Sequence, residues 1–165
     1  YDTMIHAHMS GQRLESGDVD CLNLSVPHAQ GLRYGENPHQ PAKFFGHLDA
    51  LLKPLHGKAL SYNNLLDVDA AVQLMEEFQD DDPTFAILKH NNACGCATRT
   101  TLAQAYVDAL AGDPTSAFGG VLIANRTMDV ETAKKVHELF CEVVIAPGFD
   151  ADAFEVLVDV PLLVQ

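Results

Sequence analysis

Three short apolar runs, each followed after a turn by a segment of helical periodicity, constrain this chain more than any other feature. They are Thr84-Phe85-Ala86-Ile87-Leu88, Val121-Leu122-Ile123-Ala124 and Glu142-Val143-Val144-Ile145-Ala146. Runs of this length with β-branched residues and turn formers at their ends suit strands buried on both faces. Before the first run, Asn64 reads as the cap of a helix. Its stripe is Leu65, Val68, Val72, Met75 and Phe78, with Asp67 in the first turn. Thr100 reads as the cap of a second helix, carrying Leu102, Ala105, Tyr106 and Ala109 and stopped by Gly112 and Pro114. Asp129 caps a third, with Val130, Ala133, Val136 and Phe140 inward, and residues 151–157 read as a fourth. Strand–helix alternation of this kind predicts an α/β domain, a largely parallel sheet flanked by helices.

At 165 residues the chain is one domain or a piece of one, and its 47% apolar content is enough for a core. A chain that begins with Tyr1 rather than Met is expected to belong to something longer. No apolar stretch approaches a membrane span, and no basic-then-apolar leader is present, so no membrane partner is expected. The net charge of −13 argues against a nucleic-acid surface, which needs a basic stripe. The acidic run Glu76-Glu77-Phe78-Gln79-Asp80-Asp81-Asp82 reads as a solvated helix end and loop. An anionic substrate stays possible, because local cations decide that, and Arg33 and Lys89 are the candidates. Cys21, Cys94, Cys96 and Cys141 lack a disulfide-framework spacing, so reduced thiols in the cytoplasm are expected.

The chemistry concentrates in a few polar blocks. The run Thr84–Leu88 delivers Lys89 and His90 at its carboxyl end, where open α/β sheets bind ligands. Histidine is suited to move protons near neutral pH and a neighbouring cation to steady negative charge, a pairing that suits acyl or formyl transfer. Arg33, in Arg33-Tyr34-Gly35-Glu36-Asn37-Pro38-His39-Gln40, is placed as a bidentate fork for phosphate; His39 suits a turn hydrogen bond or a site role equally. Gly119 and Gly120, closing Asp113-Pro114-Thr115-Ser116-Ala117-Phe118-Gly119-Gly120, allow either a tight strand entry or backbone N–H groups that reach a ligand. Glu142 opens a buried strand, where an unpaired carboxylate is costly.

Together with Ser61-Tyr62-Asn63-Asn64-Leu65-Leu66-Asp67, these blocks resemble the AICAR transformylase half of the bifunctional AICAR transformylase/IMP cyclohydrolase family. The resemblance runs from Leu32 to Phe154, with four motifs in the family's order. It implies a cytidine-deaminase-like layered fold. Residues 1–31 would end the cyclohydrolase domain and the interdomain segment, and residues 32–165 would form the N-terminal half of the transformylase domain. It also implies formyl transfer from 10-formyltetrahydrofolate, as co-substrate, to the 5-amino group of AICAR in purine biosynthesis. Lys89 and His90 would be the catalytic dyad. Arg33 and Tyr34 would bind the nucleotide, Asn64 its carboxamide, Gly119 the ligand through its backbone, and Glu142 the ribose hydroxyls. The parent would be a cytoplasmic homodimer, and this chain alone an inactive fragment. Two departures from the family stand out: Ala93 replaces a proline after the dyad, and residues 158–165 lack a basic loop usual in relatives.

Two other readings compete. One is a non-catalytic module that binds AICAR or a purine nucleotide without completing the reaction. The other is a zinc nucleoside deaminase built on His90, Cys94 and Cys96. The deaminase signature H-x-E with P-C-x-x-C is missing, and small residues packing a tight turn explain the cysteines better, so no metal is expected.

Overall fold

The computed structural model describes residues 26–57 and 59–165, together with Ile5 and Met9. The sequence suggests a helix remnant at residues 1–7 and a short strand at 21–26; both lie outside the described residues, Ile5 and Val26 excepted, as does Cys21. A two-stranded antiparallel ribbon, β1 (His28–Leu32) and β2 (Ala42–Phe45), precedes the main body. A short helix α1 (Leu48–Leu51) and strand β3 (Pro54–Gly57) lead into the long helix α2 (Tyr62–Glu76). Strands β4 (Thr84–Lys89) and β5 (Asn92–Thr98) form a hairpin. Helices α3 (Leu102–Leu110) and α4 (Pro114–Ala117), β6 (Gly120–Ala124), α5 (Val130–His137), β7 (Cys141–Ile145), α6 (Ala151–Val156) and β8 (Leu162–Val164) complete the chain.

The six-stranded sheet has the order β3-β8-β7-β6-β4-β5 and lies between two helical layers. Alternate residues of each inner strand serve opposite layers. Phe85, Ile87, Leu122 and Val144 pack against α3, α5 and α6, with Phe85 edge-on to the Tyr106 ring at 5.1 Å. Ala86, Leu88, Val121, Ile123 and Val143 pack against Val68, Ala71 and Met75 of α2. Each large side chain so buried stabilises the fold by about 1.5–3 kcal/mol. Double burial explains why β4, β6 and β7 read as uninterrupted apolar runs. Among the described residues no helix is long and apolar enough to cross a membrane.

The sheet is mixed, not largely parallel. β6–β7 and β7–β8 are parallel pairs, whereas β4–β5, β4–β6 and β3–β8 are antiparallel. The cause is β5. The sequence reads Cys94 and Cys96 as packing a tight turn, whereas residues Asn92–Thr98 reverse the chain as a strand beside β4 before α3 begins. Its residues are small for a reason: a Cβ added at Gly95 would stand 1.9 Å from the carbonyl oxygen of Ala109 in α3. Close helix packing thus removed the bulky β-formers that would have marked the strand. At the other side of the sheet, the tail folds inward as β8, fully buried between β7 and β3.

Caps shift slightly from the expected positions. Ser61, not Asn64, caps α2, and Asn64 is its reciprocal partner three residues on: each residue's backbone N–H donates to the other's side-chain oxygen at 3.2 Å. Asp67 therefore falls in the second turn. Thr101 rather than Thr100 caps α3, Asp129 caps α5 as expected, and Asp113 caps the short α4 within the Asp113–Gly120 block.

Candidate functional site

Because β4 runs opposite to β6 and β7, its carboxyl end lies at their amino ends. Leu88 is paired with Val121, and Val121 with Val143. Four segments meet there: the turn after β4, the start of α2, the start of β7, and the stretch after β1.

The turn after β4 consists of His90 and Asn91, closing the Lys89–Asn92 pair. Both have left-handed backbone, with φ of 51° and 61°. Positive φ at both central residues is the primed turn that matches hairpin twist, and histidine and asparagine are among the few non-glycine residues that accept it. It still costs about 1–2 kcal/mol per residue. Two hydrogen bonds hold the link between them: the Asn91 N–H donates to Asp67 Oδ1 at 2.8 Å, and Asn92 Nδ2 donates to the His90 carbonyl at 2.8 Å. His90 is exposed on the rim of two clefts.

The first cleft, about 390 Å³, is lined by Tyr34, Ser61, Asn64, Asp67, His90 and Glu142 among others. Glu142 enters from the second position of β7, half-buried, and accepts a hydrogen bond from Asn64 Nδ2 at 2.8 Å. The carboxylate is thus paired where its burial would otherwise be costly. Asn64 serves both the cap of α2 and the cleft. Arg33 and Tyr34 are pinned beside α2 by backbone bonds from Arg33 N–H to Leu60 O and from Tyr62 N–H to Tyr34 O, each 3.0 Å. The Arg33 guanidinium lies 4.7 Å from the centre of the Tyr34 ring and donates to its hydroxyl at 2.9 Å. Tyr34 faces the cleft while Arg33 stays exposed at its side. His39 is exposed in the neighbouring loop, which is closed by Gly35 N–H to Gln40 O at 2.7 Å.

The second cleft, about 500 Å³, is lined by Lys89, His90, Asn92, Cys94, Asp113 and Ser116 among others. The Lys89 ammonium donates to the Phe118 carbonyl at 2.6 Å. Asp113 is held below its usual carboxylate range by hydrogen bonds from Ser116. Burial pushes the Cys94 thiol up, Asp113 adds to the effect and Lys89 opposes it. Burial likewise pushes Cys141 up to about 12, so this thiol stays protonated. Among the described residues no group of three or more His, Cys, Asp or Glu side chains could hold a metal ion. Cys94 and Cys96 stand two apart on β5 rather than in a turn.

Of the residues singled out in the sequence, Tyr34, Asn64, His90 and Glu142 share one cleft, Lys89 lies across His90 from it, and Arg33 reaches it through Tyr34. Gly119 lines neither cleft. Its φ of 73° bends the chain, and its N–H donates to the Phe140 carbonyl at 2.7 Å, so that donor is engaged within the protein. A Cβ on Gly120 would stand 2.7 Å from the Leu88 carbonyl, which makes that glycine a packing requirement. Asp67, Asn92, Asp113 and Ser116 were not anticipated. Asp67 had a legible signal, since it stands three residues after Asn64 on the same helical face.

Sequence comparison shows the family. Residues 1–161 match the family described as the AICARFT/IMPCHase bienzyme. The chain belongs to that family. It is 54% identical over 143 residues to the bifunctional purine biosynthesis protein PurH of Bacteroides thetaiotaomicron, covering 87% of this chain and 28% of that protein. The PurH proteins of Limosilactobacillus reuteri and Chlorobaculum parvum are 46% and 41% identical, each over 95% of this chain and over 31% and 32% of their own lengths. The chain therefore spans about a third of the length of these curated members of the AICARFT/IMPCHase family.

Proposed function

We propose that this chain forms the nucleotide-holding and proton-transferring part of an AICAR transformylase, acting in purine biosynthesis within a bifunctional, cytoplasmic, homodimeric protein. The three-layer arrangement is read as a cytidine-deaminase-like fold, residues 32–165 being the N-terminal half of the transformylase domain. The observation that carries the reading is the cleft in which Tyr34, Asn64, His90 and Glu142, from four separate segments, face one another.

In this mechanism Arg33 forks the AICAR phosphate, Tyr34 packs on the nucleotide, Glu142 takes the ribose hydroxyls and Asn64 the carboxamide. Gly119 supplies the bend that presents the Phe118 carbonyl to Lys89. The exocyclic amine of AICAR is a poor nucleophile, because its lone pair is delocalised toward the carboxamide-bearing ring. Holding it against the formyl carbon of 10-formyltetrahydrofolate is therefore a large part of the task. As the amine attacks, His90 accepts its proton and Lys89 steadies the oxyanion on the former formyl oxygen. The C–N bond to the folate then breaks, and tetrahydrofolate leaves with a proton on its nitrogen. The Lys89 ammonium has three donors, so its bond to Phe118 leaves two for this purpose. No metal takes part in the steps assigned to this segment.

The test is formyl transfer by a protein of the relatives' full length that carries this segment, with and without His90→Ala. Turnover should fall about 100-fold, the usual worth of a positioned proton-transfer group, with AICAR affinity little changed. A His90→Ala protein with near-normal turnover would overturn the assignment. Absence of formyl transfer in the parent, with AICAR binding retained, would favour a binding module instead.

A further inference from the structure

The peptide unit between His90 and Asn91 is held at both ends by side chains. Its carbonyl accepts from Asn92 Nδ2, and its N–H donates to Asp67 Oδ1, each at 2.8 Å. This unit joins two consecutive left-handed residues, neither of them glycine. Its orientation sets ψ of His90 and φ of Asn91, and with them the direction in which the His90 side chain leaves the backbone. In a primed two-residue turn the hairpin's own bond joins the flanking pair, here Lys89 and Asn92, so the N–H at the second central position needs another acceptor.

We propose that Asp67 is the positioning residue of this site: as the acceptor for Asn91, it holds the turn in the conformation that aims His90. Three observations support this. Asp67 projects from the second turn of α2, whose start is fixed by the Ser61–Asn64 box and by the Asn64–Glu142 bond. It is thus anchored to the same elements that build the cleft, and it lines that cleft together with His90. A carboxylate accepting from a backbone N–H makes a charge-assisted hydrogen bond, roughly twice as strong as a neutral one, and so offsets much of the cost of the left-handed pair. Asn92 performs the complementary task from inside the hairpin. The charged and titratable side chains that share the clefts with His90 are Asp67, Glu142 and Tyr34 on one side and Lys89, Asp113 and Cys94 on the other. Asp67 differs from them in bonding the turn itself.

The catalytic part of this inference rests on the formyl-transfer reading, and the structural part stands without it. In the 165-residue chain, amide exchange measured by NMR should show the Asn91 N–H protected, exposed in Asp67→Ala and protected again in Asp67→Asn, since asparagine keeps an acceptor oxygen. In the full-length protein, Asp67→Ala should lower kcat 10- to 100-fold with KM for AICAR within about threefold, because misplacement of a reacting group by about 1 Å can cost 100-fold. Asp67→Asn should recover most of that loss. Unchanged Asn91 exchange in Asp67→Ala would overturn the clamp. An Asp67→Asn protein as slow as Asp67→Ala would overturn positioning in favour of a charge effect. Absence of formyl transfer in the unsubstituted parent would sink the formyl-transfer reading while leaving the exchange result to decide the clamp.

Discussion

Arg33 lies across the ring of its own neighbour. Among the described residues, the Tyr34 hydroxyl is the one hydrogen-bond acceptor its guanidinium meets, which leaves four of its five N–H donors without a partner there. Stacking on Tyr34 limits the rotamers available to the fork, so less entropy is lost when it meets an anion. Arg33→Ala should therefore weaken binding of AICAR monophosphate at least 10-fold and leave the dephosphorylated nucleoside nearly unaffected. Equal losses for both ligands in calorimetry would show that Arg33 does not read phosphate. Lys89 and His90 stand out in the sequence because they follow a recognisable apolar run, and Arg33 because it is a guanidinium in a polar block. Asn92 does not stand out, and Asp67 does so only by its helical spacing from Asn64, because their partners are backbone groups of a turn whose conformation the letters His-Asn signal only weakly. Gly119 was legible as a bend but not in its bonding, since its acceptor, the Phe140 carbonyl, comes from 21 residues further on.

Among the elements, β5 shows how packing can conceal a strand. Its centre is Gly95, and the space a methyl would need there is filled by backbone of α3, which cannot move as a side chain can. Gly95→Ala should consequently lower stability by about 2 kcal/mol or more, seen as a lower urea midpoint with an unchanged slope. Gly31→Ala, with nothing within 4 Å of the new methyl, is the matched control and should change the midpoint far less. Equal effects would show that the crowding at Gly95 is readily relieved. The strands buried on both faces and most of the capped helices were read near their true bounds, since periodicity reports burial directly, but Phe140, read as inward on α5, lies past the end of that helix and is exposed. β5 and β8 escaped for opposite reasons: β5 lacks large residues, and β8 is three residues long and has meaning only beside β7 and β3. Missing β5 is what turned a mixed sheet into an expected parallel one.

At the scale of the whole molecule, the chain supplies a cleft with one wall contributed by each of several segments, yet covers about a third of its relatives' length. Formyl transfer needs a folate held against the amine, and positioning of that kind accounts for about 7–11 kcal/mol of a barrier. The isolated chain should thus bind AICAR weakly and fail to form tetrahydrofolate from 10-formyltetrahydrofolate, followed spectroscopically. Turnover comparable to the full-length enzyme would mean that the site is far more local than proposed. The bond between Asn64 and Glu142 joins residues 78 apart in the chain. Closing so long a loop is entropically unfavourable until the intervening hairpin, two crossings of the sheet and their helices are in place. The floor of the cleft is accordingly among the last features to form as the polypeptide collapses. A ligand that touches both residues recognises only a chain that has finished folding, and its binding energy is returned to the fold as a whole rather than to any single part of it.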